Sequence, residues 1–243
     1  MSTRTLLMTH MVAFYPDRPA SLAVARGLAE GGCAYMEVQF PFSDPTADGP
    51  DIQAACDSAL KAGFTVSEGF RLVAEIGSRA QVPIFIMSYA NLLFTRGLER
   101  FLAESRDAGA SGLIIPDLPQ GYDEGLFRLA ARAGLAAVPV VSPSMTDGRL
   151  QQIVALGAEY IYATLRTGTT GPRTEIDPGI VQFLSRIRTG KVLGGFGISG
   201  PEQVRALAPL VHAVVVGSAL VREVAKNGDP FLSVKRKVEE LRG

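Results

Sequence analysis

The stretch KVLGGFGISGPEQVRALAPLVHAVVVGSA, residues 191–219, decides the fold. It opens on an apolar run, breaks at glycines, and reaches Pro201 and Glu202, residue types that favour a first helical turn. A second apolar run, AVVVGS, ends on another glycine. Apolar strands separated by helices lie parallel in a sheet, with the helices covering one face. The same alternation runs through the whole chain. The other strand candidates are TLLMTHMVAF, YMEVQF, PIFIMSY, GLIIPD, AAVPVVS and YIYATLR, eight with the two above. Helical patterns such as SLAVARGLAEGG, LERFLAESRDAG and GLFRLAARAG lie between strands, several closing on glycine, the usual left-handed C-terminal residue. Eight such units in 243 residues predict a (β/α)8 TIM barrel, one domain over residues 1–243. A doubly wound open sheet is the alternative, weakened because no G-x-G-x-x-G follows the first strand. The second unit is the longest, with room for a long loop and an extra helix on the face where barrels do chemistry.

Composition narrows the function classes. Twenty-four basic and twenty-four acidic residues cancel without a charge run, which argues against nucleic acid and against an anionic membrane surface. No apolar run reaches the length of a membrane span, and MSTRTLLMTH lacks signal-peptide anatomy. Cys33 and Cys56 read as reduced core thiols. The expectation is a soluble, cytoplasmic protein.

The acids cluster in EVQFPFSDPTADGP, residues 37–50. Strand alternation puts apolar Met36 and Val38 toward the helices and turns Glu37 and Gln39 toward the barrel axis. An inward carboxylate near the upper rim suits a general acid/base, or else a carboxylate paired with an arginine. Asp48 either holds a polar hydrogen of a substrate or caps the helix starting near Asp51. Asp44, before a proline, closes a turn. The glycine clusters GGFGIS and VVGSA end the seventh and eighth strand candidates, where barrels often bind phosphate on backbone N–H groups. RTGTTGPRTE, residues 166–175, reads as a lid over such a phosphate or as a plain flexible loop. His10 and His212 are the only histidines and are not at ligand spacing, so no metal site is expected. No lysine ends a strand where a Schiff base would form.

PFSDPTADGP, IIPDLP, RTGTTG, GGFGIS and VVGSA, in this order, resemble the tryptophan synthase α chain family along nearly the whole sequence. The resemblance implies retro-aldol cleavage of indole-3-glycerol phosphate to indole and glyceraldehyde 3-phosphate, a lyase step in tryptophan biosynthesis. It implies Glu37 as acid/base, Asp48 as acceptor for the indole N–H, and Tyr162 close to the base. Gly171, Gly197, Gly217 and Ser218 would cradle the phosphate, and Arg166, Gly168 and Thr170 would belong to the lid. Asp44 would face a partner β chain, which takes indole through a tunnel in an α2β2 assembly. No cofactor is expected on this chain, pyridoxal phosphate belonging to the β chain. The departures suggest a stand-alone or diverged sugar-phosphate lyase as the alternative, and a non-catalytic activator of the β chain is a further one from a different class. Those departures are Gln39 where the family usually has glycine, Tyr15 in place of an aspartate, and His10 near a position usually aromatic. NLLF (91–94) replaces an Asn-Pro pair, and Leu165 stands where serine is common. From its place beside Glu37, the Gln39 amide is expected to bond that carboxylate or to shrink the indole pocket.

Overall fold

The computed structural model describes residues 5–165, 176–188, 190–226 and 228–243. Its strands are β1 (Leu7–Val12), β2 (Tyr35–Gln39), β3 (Ile84–Met87), β4 (Gly112–Ile114), β5 (Ala136–Val138), β6 (Val140–Val141), β7 (Tyr160–Thr164), β8 (Lys191–Gly195) and β9 (Ala213–Val216). All ladders are parallel, in the order β5-β4-β3-β2-β1-β9-β8-β7-β6. The two ends of that order are successive pieces of AAVPVVS, so the sheet curls into a nearly closed TIM barrel. Nine strands stand where eight were expected, and Pro139 is the reason. It has no N–H for the ladder and splits the fifth candidate, while its carbonyl still accepts from Tyr162 N at 2.9 Å.

Each strand carries two apolar faces. Leu7, Met36, Val38, Ile84, Ile86 and Leu113 point out and pack under the helices. Met8, Tyr35, Phe85, Met87, Ile114, Tyr162, Leu193 and Val215 point in and fill the barrel. Burying a ring such as Phe85 contributes about 1.5–3 kcal/mol relative to exposure. The outer helices include α1 (Arg18–Glu30), α2 (Pro50–Lys61), α3 (Val66–Arg79), α4 (Ala90–Arg96), α5 (Leu98–Asp107), α6 (Leu126–Arg132), α7 (Asp147–Val154), α8 (Pro178–Ser185), α9 (Pro201–Leu207), α10 (Ser218–Ala225) and α11 (Pro230–Arg242). The second unit does hold two helices, α2 and α3. The short α4 between β3 and α5 is an element the sequence pattern did not separate. No helix among the described residues is long and apolar enough to cross a membrane.

Candidate active site

The site grows out of neighbouring strands at their C-terminal ends. On β1, Met8 and His10 share the inner face, and on β2 Tyr35, Glu37 and Gln39 do. His10 and Glu37 are direct partners in the β1–β2 register. Their side chains therefore meet, His10 Nδ1 lying 3.3 Å from Glu37 Oε2 with about 5% and 4% of each exposed. The separation and alignment make this a charge contact rather than a full hydrogen bond.

Beyond β2 the chain folds back on itself. Thr46 N donates to Asp44 O at 2.9 Å and Asp48 N to Pro45 O at 3.0 Å, which returns Asp48 over the barrel mouth. Asp48 is buried, and its Oδ2 accepts from Gln39 Nε2 and from the Tyr89 hydroxyl, each at 2.7 Å. The Tyr89 hydroxyl in turn accepts from Ala47 N at 3.1 Å, and its ring stacks on Phe42 with centroids 5.3 Å apart. Asp48 does not cap a helix: the N-cap of α2 is Gly49, with no side-chain cap bond. Gln39 corrects the sequence reading, since its amide serves Asp48 and, at 3.4 Å, Cys56 Sγ, not Glu37. Both fixed bonds fall on Oδ2, so Oδ1 lies outside that clamp.

Burial shapes the electrostatics. It raises the Asp48 carboxyl above its ordinary range, an effect that bonds from Tyr89 and Gln39 and the nearby His10 reduce. For His10 burial works against the charge, but Glu37 and Asp48 outweigh it and the imidazole holds its proton above pH 6.5. Tyr162 is buried beside the same two acids and its hydroxyl stays protonated far above its ordinary range. Cys56 is pushed up to about 12, chiefly by burial, and is an inert thiol.

A cavity of about 180 Å³ opens between these groups. Glu37, Asp48, Tyr162, Gly197, Gly217 and Ser218 all line it, so the structure brings together every expected site residue that it describes, apart from Asp44. After β8 the backbone turns through two left-handed residues, Phe196 (φ 118°) and Gly197 (φ 72°). Buried Gln203 fixes that turn, accepting from Ser199 N at 2.9 Å and donating to Gly197 O at 3.0 Å. Gly217 and Ser218 form the start of α10. Asp44 sits apart and exposed, bonded by Ser43 Oγ at 2.6 Å. Gly171, Arg166, Gly168 and Thr170 lie outside the described residues. Tyr89, the residue that holds Asp48, was missed by sequence reasoning, although its place at the end of PIFIMSY marks a strand tip.

The model of the family described as "Tryptophan synthase alpha chain" matches residues 1–243. The chain belongs to the tryptophan synthase alpha chain family. The tryptophan synthase alpha chain of Helicobacter hepaticus is 37% identical over 229 residues, covering 90% of this chain and 86% of that one. A structure of Mycobacterium tuberculosis tryptophan synthase superposes with a TM-score of 0.90 at 32% identity, covering 98% of this chain and 91% of the other. The tryptophan synthase A-subunit of Pyrococcus furiosus gives 0.88 at 33% identity, with 97% of each chain covered. As a tryptophan synthase alpha chain, the protein is a lyase of tryptophan biosynthesis in a family that works with a β chain.

Proposed function

We propose that the cavity cleaves indole-3-glycerol phosphate by a retro-aldol step, with Glu37 as acid/base. The observation that carries this is two buried carboxylates with different surroundings in one cavity: Glu37 beside a histidine, Asp48 clamped by neutral donors. Glu37 carries the proton of the side-chain hydroxyl next to the ring to indole C3, which makes the ring nitrogen cationic, and Asp48 accepts its N–H and stabilises that charge. The bond between indole and side chain breaks, its electron pair restores the indole, and the hydroxyl carbon leaves as the aldehyde of glyceraldehyde 3-phosphate. Tyr162 packs beside the base, and the turns at Gly197 and at Gly217–Ser218 offer backbone N–H groups to the phosphate. Gly171 and the lid residues Arg166, Gly168 and Thr170 join this proposal on the resemblance alone.

The chain is read as one domain over residues 1–243, cytoplasmic, needing no cofactor of its own. It pairs with the β chain in an α2β2 assembly, with Asp44 on the shared surface and pyridoxal phosphate confined to the partner. Indole release from purified chain, alone and with a β chain, tests the reading. Turnover that rises with the β chain supports it. Turnover indifferent to the β chain indicates a stand-alone lyase, and none under any condition indicates a non-catalytic activator. A diverged substrate is favoured by one observation, the polar His10 in the cavity wall; parallel assays on related sugar phosphates decide it.

A further inference from the structure

We propose that His10 is a positioning residue for Glu37, its imidazole facing the carboxylate across the strand pair and holding it in place. The inference rests on the reading of Glu37 as the base and adds a residue to it. Three observations support it. First, His10 and Glu37 are cross-strand partners with Nδ1 and Oε2 3.3 Å apart, so the contact is built into the β1–β2 register. Second, both line the same cavity and both are buried, where an uncompensated carboxylate is expensive. Third, His10 Nε2 is buried with no hydrogen-bond partner among the described residues, a cost the fold tolerates at the cavity wall.

Of the groups around the pair, the carboxylates favour a charged imidazole and the rest are neutral. Asp48 faces it from the loop after β2, and Tyr162 from β7 lines the same cavity as both acids. Tyr89 from the end of β3 and Gln39 from β2 serve Asp48 and are neutral. Gly217 lies beside His10 with Ile52 next to that glycine, and among the described residues on the far side of the imidazole Tyr15 is the titratable one, beside Leu220, Val221 and Val224. No basic side chain is among these neighbours, so among the described residues the imidazolium is the cation that faces the two buried carboxylates. With a proton on Nδ1 it faces the Glu37 carboxylate and fixes it in place until the carboxylate takes the substrate proton. It then faces a neutral acid without moving a proton of its own.

The chain has two histidines, so 15N spectra of the imidazoles resolve both, and His212→Asn assigns them. His10 is expected to stay an imidazolium to higher pH than His212, and Glu37→Gln to lower its titration midpoint by about one unit or more. In turnover, His10→Phe is expected to move the acid limb of kcat/KM to higher pH, because the buried carboxylate loses its cation. His10→Gln, which keeps a neutral donor, is expected to move it the same way but less. A His10 midpoint indifferent to Glu37→Gln overturns the pairing, and an acid limb unmoved in both His10 variants overturns the positioning role. Absence of wild-type turnover would count against the proposed function, while the titration, which needs no substrate, would still decide the pairing.

Discussion

The two histidines sit at opposite ends of one barrel, and their surroundings shift them in opposite directions from the ordinary imidazole value. At the N-terminal end, His212 Nε2 lies 2.8 Å from the Tyr35 hydroxyl, and Lys191 Nζ is 2.9 Å from Glu159 and 4.9 Å above the Tyr160 ring. Burial, and then Lys191, pull His212 below its ordinary value. At the C-terminal end, two carboxylates hold His10 above it. The lower end pairs its polar groups near solvent, which favours the folded state. The upper end keeps acids and an imidazole buried around a cavity, where desolvation of the acids costs stability and the proposed chemistry would use them. Neighbours, not residue type, decide what each histidine is.

The largest expected effect comes from removing the upper acid. Glu37→Gln should lower indole release by about 10²–10⁴-fold while the thermal midpoint holds, as read by a turnover assay beside a melting curve. Next comes Asp48→Asn, which keeps the shape but not the charge opposite the ring nitrogen. A loss of about 10²–10³-fold in kcat is expected, and an unchanged kcat would remove Asp48 from the mechanism.

The pH dependence of stability contrasts the two histidines directly. His10 titrates above 6.5 in the fold, so the stability it contributes is complete below pH 6.5 and is lost as pH rises through its folded value. Asp48, raised above 3.8, has the same sign, its favourable contribution fading as pH climbs past that value. His212, lowered from 6.5, has the opposite sign and destabilises the fold as pH falls below 6.5. Urea midpoints measured from pH 6 to 9 should therefore decline for wild type, and His10→Gln should flatten that decline. The smallest effect belongs to the lower end: Tyr35→Phe should cost about 0.5–1.5 kcal/mol of stability and leave turnover unchanged.

Legibility in the sequence followed the range of the interactions. Alternation along one strand is local, so the barrel and the inward face of Glu37 could be read from YMEVQF and its flanking helices. The break at Pro139 was not, since AAVPVVS reads as one apolar run, although a proline cannot donate to the ladder. The His10–Glu37 contact was not legible, because it depends on the register between two strands separated by a helix. The Gln39–Asp48–Tyr89 cluster was hidden for the same reason. It forms only because turns at Asp44–Asp48 bring the loop back over β2 and beneath a tyrosine from β3. Alternation showed that Gln39 faces inward, but which acid it would meet depended on where the loop returned.

One paired measurement tests the division of labour between the ends most directly: indole release and melting temperature for Glu37→Gln and Tyr35→Phe, side by side. Expected is a double contrast, in which the upper variant loses turnover and keeps its melting temperature, while the lower keeps turnover and melts earlier. Retained turnover in Glu37→Gln, or equal losses of turnover in both variants, would contradict it.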